Sequence, residues 1–282
     1  MLTRSRPSAD VLAQIDESRL YIGDAADADG LARALDGIDH VAFCAGGLLP
    51  SASQSNPELD RKLTLKPVQA VLEALAERPG VTLTYLSSGG TVYGEPSHLP
   101  VRETDPTAPV SFYGELHLAC EQEIERARSA GGLKARILRC STVYGEYQRP
   151  DRGQGVIVTF LHRIERGEPI DIFGGGTTIR DYIYAGDVAQ AMVGLIGNEA
   201  EPSVVNVGSG VGTSLLEVLQ MAEREAGKPA QIVQHEERGF DVHQIVLDTT
   251  RLHELVELEI TPLQMGIERT HRWLTTKSPE PA

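Results

Sequence analysis

The stretch Val81-Thr82-Leu83-Thr84-Tyr85-Leu86-Ser87-Ser88-Gly89-Gly90-Thr91-Val92-Tyr93-Gly94 decides how this chain is read. Val81 to Leu86 reads as a strand that runs straight into two serines and two glycines, as a buried parallel strand does where it meets a turn. Working outward, the same texture recurs. Toward the N-terminus, Leu20-Tyr21-Ile22 reads as a short strand with a turn at Gly23-Asp24, and Asp27 to Leu35 as an amphipathic helix. His40 to Ala45 reads as a compact strand ending in Gly46-Gly47. Pro57 to Glu77 reads as a long helix carrying Leu63, Val68, Val71 and Leu75, with Pro67 inside it as a possible point of kinking. Toward the C-terminus, Ser111 to Ala130 is a second long helix and Lys134 to Cys140 another strand. Strands alternating with helices imply an α/β protein whose parallel sheet is covered on both faces.

After about residue 145 the texture changes. Pro150, Gly153, Gly155, Pro169 and Gly174-Gly175-Gly176 cut the chain into shorter pieces. Val156–Arg166, Ala185–Ile196 and Ser214–Ala226 read as helices, Val204–Val207 as a strand, and the tail from Ser278 as frayed. Two lobes are expected, 1–145 and 146–282, the second sending segments back to the sheet, with a ligand in the cleft between them.

The 282 residues are 41% hydrophobic and 23% charged, as in ordinary folded proteins, which excludes a disordered chain. No window approaches the roughly 20 apolar residues a bilayer span needs, and the first residues lack the apolar run of a signal peptide. With 26 Lys+Arg against 40 Asp+Glu the formal charge is −14. Such a surface repels nucleic acid and anionic lipid, so an anionic ligand needs local arginines. Cys44, Cys120 and Cys140 form neither a metal-type cluster nor a disulfide framework. They read as buried thiols in a cytoplasmic protein without metal.

Leu86 to Gly94, then Tyr113-Gly114 opening a helix, then Arg180-Asp181-Tyr182-Ile183-Tyr184-Ala185-Gly186-Asp187-Val188, Asn206-Val207-Gly208 and Arg238-Gly239-Phe240-Asp241 follow one another in an order that resembles the extended short-chain dehydrogenase/reductase family, its sugar-nucleotide epimerases and reductases above all. The resemblance spans nearly the whole chain. It implies a Rossmann-like, doubly wound parallel sheet with a smaller C-terminal substrate-binding lobe.

Oxidising a carbinol to a nicotinamide needs a base for the hydroxyl proton. A tyrosine serves only if its pKa, normally about 10, is drawn toward the working pH. The resemblance makes Tyr113 that acid/base. Four residues on, one helical turn away, the family carries a lysine that lowers the phenol pKa and binds the nicotinamide ribose; here it is His117. Imidazole is shorter and mostly uncharged at neutral pH, so His117 reads either as a weakened substitute or as a surface or cleft histidine without a role. The family's strand-end Ser/Thr falls on Gly89, which leaves Ser88 or Thr91 to supply the substrate-orienting hydroxyl. Thr64 and Thr142 replace residues that are commonly asparagine.

The family opens with a strand, a Gly-x-x-Gly-x-x-Gly turn and a helix that cradle the cofactor pyrophosphate. Here Met1-Leu2-Thr3-Arg4 resembles the end of the family's second strand. One strand–helix unit is then expected to be missing, its two flanking strands to lack a partner, and the chain as written to bind nicotinamide cofactor poorly or not at all. A truncated gene and a degenerate protein both account for this. The rest of the expected cofactor site is Asp24 at the adenine, Cys44, Ala45 and Gly46 lining a strand end, and Ser87, Tyr113 and His117. Arg4 and Arg6 at the end of the second strand favour NADP over NAD, because guanidinium accommodates a 2′-phosphate.

In the substrate lobe, Arg180 and Arg238 match the family's diphosphate-contacting arginines and Asp241 a ribose-binding acid; Thr142 and Asn206 complete the expected substrate set. The Asp-Glu pair of the dehydratases is replaced by Gly90-Thr91, which disfavours water elimination. What remains is epimerisation through a transient 4-keto sugar, or reduction of an existing one, on a UDP-, dTDP- or GDP-linked sugar. A non-catalytic relative that binds sugar nucleotide or a protein partner is the alternative. Helices 57–77 and 111–130 resemble the pair through which the family forms homodimers.

Overall fold

The computed structural model describes residues 1–153, 155–197, 203–237, 239 and 242–276. The chain begins β1 (Leu2–Thr3), α1 (Ala9–Leu12), β2 (Tyr21–Ile22), α2 (Ala28–Ala34), β3 (His40–Phe43), α3 (Pro50–Ser55) and α4 (Pro57–Ala76). There follow β4 (Thr82–Ser88), α5 (Gly89–Val92), α6 (Phe112–Ser129), β5 (Lys134–Cys140), β6 (Thr142–Tyr144), α7 (Val156–Arg166), β7 (Pro169–Phe173), β8 (Ile179–Tyr184) and α8 (Ala185–Leu195). The last elements are β9 (Val204–Val207), β10 (Gly212–Ser214), α9 (Leu215–Ala226), β11 (Gln231–His235), β12 (Gln244–Ile245), α10 (Thr250–Leu255) and α11 (Leu263–Thr276). The fold is α/β with parallel strands. No helix among the described residues is long and apolar enough to cross a membrane.

The chain divides into two compact units, Met1–Ser87 with Phe112–Ile137, and Ser88–Ser111 with Leu138–Ala282. The units interleave along the sequence, a different partition from 1–145 and 146–282.

In the first unit β3 pairs β4 in parallel, from His40 opposite Thr82 to Phe43 opposite Tyr85, and β5 continues the sheet beyond β4. From Leu83 to Tyr85 every residue of β4 is buried, as befits a parallel strand covered on both sides. β1 pairs β2 in parallel as a separate two-stranded sheet, Leu2 opposite Tyr21. Among the described residues β1 and β3 thus each have one strand neighbour. Helix α2 starts where the Asp27 carboxylate accepts from Gly30 N–H at 3.2 Å. Helix α4 starts on Pro57 and runs through Pro67 as one helix. Its buried Val68, Val71 and Leu75 face inward, as do Leu116, Cys120 and Ile124 of α6, and the two helices pack on each other.

In the second unit, Tyr144, Ile157, Leu161, Ile170, Ile172 and Val218 belong to one apolar core. β8 is its hub, paired with β6, β10 and β12. β7 and β11 form a parallel pair from Pro169–Gln231 to Phe173–His235. The short elements that Pro and Gly obscure in the sequence are therefore largely strands. Helix α9 opens with a capping box between Ser214 and Glu217 and ends at Gly227, left-handed with φ +65°.

All three cysteines are free. Cys120 and Cys140 are buried as expected. Cys44 is exposed, a correction: it stands just past the end of β3, its thiol over the Ala42 carbonyl at 3.9 Å.

Candidate active site

In the first unit the expected catalytic residues lie on α6. The Phe112 N–H donates to Gln54 Oε1 at 3.2 Å, which anchors the start of the helix. Tyr113 follows in the first turn, half-buried. One turn later His117 lies with its ring centroid 4.5 Å from that of Tyr113. His117 is only 7% exposed, which corrects its reading as a surface histidine. Burial drives its pKa down to about 4, against a smaller upward pull from the Asp60 charge. The ring is therefore neutral at pH 7 and supplies no cation to the neighbouring phenol.

Sequence reasoning missed Tyr85, Glu121 and Asp60 beside this pair. Tyr85 of β4 is buried and its hydroxyl lies 3.0 Å from His117 Nδ1. Ser87, expected at the cofactor, donates to Glu121 Oε1 at 2.5 Å, with both residues buried. On α4, Thr64 donates to Asp60 Oδ1 at 2.7 Å, and the same oxygen accepts from Leu48 N–H at 2.9 Å. A Cβ on Gly47 would stand 2.2 Å from both the Asp60 and Thr64 oxygens, so only glycine lets the chain after β3 lie on this pair. The one available signal was spacing: Tyr113, His117 and Glu121 recur every fourth residue, along one helix face.

The other expected cofactor residues stand at strand ends. Cys44, Ala45 and Gly46 are exposed beyond β3, and a Cβ on Gly46 would meet nothing within 4 Å. Asp24, exposed after β2, accepts from Ala26 N–H at 2.9 Å and pairs with Arg4 Nε at 3.6 Å. Arg4 also donates to the Leu63 carbonyl, and Arg6 is bound to Glu17 Oε2 at 2.5 Å.

In the second unit Ser88 precedes α5, and Thr91 Oγ1 donates to the Ser88 carbonyl at 3.3 Å. A Cβ on Gly89 would stand 2.7 Å from the Arg139 carbonyl oxygen and 2.8 Å from Leu247 Cδ1. There is no room for a hydroxyl-bearing side chain at that position, which accounts for the glycine.

Asn206 is completely buried. Its Oδ1 accepts from the Tyr93 hydroxyl at 2.6 Å, and its Nδ2 donates to the carbonyls of Val101 at 2.9 Å and Asp248 at 3.3 Å. With these bonds Asn206 ties separate segments of the chain together. Asp181, 1% exposed, accepts from Ser209 N–H and Oγ and from Gly210 and Leu247 N–H. Asp187 accepts twice from Thr261. The two acids of the Arg180–Val188 motif therefore hold turns in place. Arg180 is part-buried, its Nη1 donating to the carbonyls of Ile179 at 2.9 Å and His243 at 3.4 Å. Thr142 is half-buried on β6, opposite Tyr182 of β8. Arg238 and Asp241 lie outside the described residues.

Residues 1–208 match the NAD dependent epimerase/dehydratase family. The chain belongs to that family. It is 33% identical over 222 residues to a putative UDP-glucose 4-epimerase of Methanocaldococcus jannaschii, covering 79% of this chain and 72% of the other. It is 32% identical over 233 residues to a dTDP-4-dehydro-6-deoxyglucose reductase of Escherichia coli, covering 82% and 73%. A crystal structure of UDP-glucose 4-epimerase from Thermus thermophilus in complex with NAD superposes with a TM-score of 0.84 at 30% identity, over 92% of this chain and 85% of that one. Beside Tyr113 this chain carries a buried histidine, and at position 89 a glycine.

Proposed function

We propose that the chain is an NAD-dependent sugar-nucleotide epimerase, with a UDP-hexose as substrate and C4 as the carbon that inverts. Residues 1–145 are assigned to cofactor binding and 146–282 mainly to the substrate. The observation that carries this reading is Tyr113, half-buried in the first turn of α6 and ring to ring with His117 one turn later. The relatives named above support the sugar nucleotide. Reduction of an existing 4-keto sugar is the second reading, supported by the likeness to the Escherichia coli reductase.

The ends of β2 and β3 suit part of a dinucleotide, although no Gly-x-x-Gly-x-x-Gly turn for its pyrophosphate occurs in the sequence. Beyond β3 the exposed side chains are small, with open space at Gly46, and an exposed carboxylate follows β2 at Asp24. Arg4 and Arg6, which favoured a 2′-phosphate, both have carboxylate partners, at Asp24 and Glu17. That supports NAD over NADP. When bound, the nicotinamide supplies a hydride acceptor and donor at C4.

Every other step falls to the protein. Tyr113 takes the proton from the 4-hydroxyl as the carbinol is oxidised and returns it as the ketone is reduced. Ser88 or Thr91 orients that hydroxyl. His117 hydrogen-bonds beside the phenol without charging it. Arg180 and Arg238 grip the diphosphate as guanidinium forks, and Asp241 and Thr142 hold the ribose and sugar. A second copy of the chain docks on α4 and α6, a reading supported by half-buried Leu65, Leu72 and Leu118 on those helices.

The test is to incubate the purified chain with NAD and UDP-galactose and to follow UDP-glucose by chromatography. Interconversion without net NADH is the expected result, and it would overturn the expectation that the chain as written binds nicotinamide poorly. Stoichiometric NADH consumption with a 4-keto sugar, and no interconversion, moves the assignment to the reductase. Neither activity, with no NAD affinity, returns it to a non-catalytic binder.

A further inference from the structure

The position one turn after Tyr113 holds a residue that cannot carry charge at neutral pH, and the residue beneath it explains how it could still serve. Tyr85 lies on β4, directly under α6, with its hydroxyl 3.0 Å from His117 Nδ1 and the two ring centroids 6.2 Å apart. The same hydroxyl is within reach of the Cys120 thiol. Which way the phenolic proton points decides the histidine tautomer.

The Cys120 thiol donates to the Thr64 carbonyl at 4.0 Å, so its own proton has an acceptor. As acceptors, thiol sulfur and imidazole nitrogen are unequal: sulfur is weak, whereas the bare nitrogen of a neutral imidazole is a good acceptor. A phenol is also the better donor of the two ring systems. The Tyr85 O–H therefore donates to Nδ1, and the imidazole proton is left on Nε2. Burial works in the same direction. It raises the Tyr85 pKa well above its usual value and lowers that of His117, so neither group ionises near pH 7. The charged or titratable groups around the pair are Asp60 of α4 and Tyr113, Cys120 and Glu121 of α6.

We propose that Tyr85 is a positioning residue that fixes His117 as the neutral Nε2–H tautomer, so that α6 presents a single directed N–H donor beside Tyr113 where the family resemblance implies a lysine. The proposal rests on Tyr113 being the proton-transfer group, but its first test does not.

Nitrogen-15 NMR of the histidine-labelled protein without ligands reads the tautomer directly. The expected spectrum has His117 protonated on Nε2 only, unchanged between pH 8 and pH 5.5. A proton on Nδ1, or a charged ring at pH 7, overturns the proposal. Tyr85→Phe, confirmed as folded by its thermal transition, should give His117 a mixed tautomer population and lower kcat about tenfold at an unchanged KM for the sugar nucleotide, which is the effect of one hydrogen bond. A mixed tautomer with wild-type kcat removes the positioning role. The pH profile of kcat/KM supplies a third readout. In the wild type its basic limb should rise toward the ordinary phenol range, and in His117→Lys that limb should shift toward acid by at least tenfold in proton concentration. Where the buried lysine prevents folding, the NMR and Tyr85→Phe results decide alone. If the tautomer is as stated and no sugar nucleotide is turned over, the epimerase reading fails and the Tyr85–His117 assignment stands.

Discussion

Tyr113 and Tyr93 lie twenty residues apart, one in each compact unit, and their surroundings are opposite in kind. Tyr93 is 2% exposed, donates to Asn206 Oδ1 and lies under the Arg139 guanidinium, 4.8 Å from the ring centre. Asn206 in turn holds the carbonyls of Val101 and Asp248. The Tyr93 hydroxyl and the Asn206 amide thus answer other protein groups and tie three distant segments of chain. Tyr113 is half-buried and leans on a histidine whose charge has been removed by burial. A fully buried tyrosine locked into such a knot is structural, whereas the half-buried Tyr113 is the one to which the proposed function gives a proton to move. Residue type alone would not separate them.

The largest effect should come from exchanging their losses. Tyr113→Phe should lower turnover of UDP-galactose by about 10²–10⁴-fold, the usual worth of a general acid/base, with little change in the urea midpoint. Tyr93→Phe should do the reverse, leaving buried Asn206 Oδ1 unsatisfied at about 1–3 kcal/mol in denaturant unfolding. If Tyr93→Phe carries the kinetic loss, the contrast is wrong.

His117 sharpens the comparison through acid. Its folded pKa of about 4 lies below the ordinary 6.5, so the unfolded chain binds the proton first. The stability this residue contributes is intact above about pH 6.5 and is lost as pH falls toward about 4, up to about 3 kcal/mol in all. His117→Gln should flatten that part of the curve in urea unfolding measured at pH 7 and pH 4.5.

Next is Gly89→Ser, which restores the hydroxyl that the family pattern expects. Its Cβ meets the Arg139 carbonyl at 2.7 Å, so the backbone must shift, at about 1–3 kcal/mol in thermal or urea unfolding. A stable and more active variant would show that the space can open. The smallest effect is a control away from both tyrosines. Arg272 pairs with Glu268 one turn earlier on α11, and both are exposed. Arg272→Ala should change stability by less than about 0.5 kcal/mol.

Local periodicity was enough for the α/β class, because strands covered on both faces and helices with one apolar stripe leave their marks within ten to twenty residues. Lys134–Cys140, Val156–Arg166 and Val204–Val207 have the bounds read from the chain, and α4 and α6 differ by a residue at their ends. The Tyr113–His117 spacing was visible for the same reason. The strands β6, β7, β8 and β10 to β12 were not, since short segments among Pro and Gly become strands only by finding partners far along the chain. Folding also decided what each polar group is free to do. Ser87 turned to Glu121, Asn206 was consumed by Tyr93 and two carbonyls, Gly89 was confined by Arg139, and His117 acquired Tyr85. Those partners stand 32 to 113 positions away. Desolvation and hydrogen bonding depend on distance in space, which the order of residues along a chain does not contain.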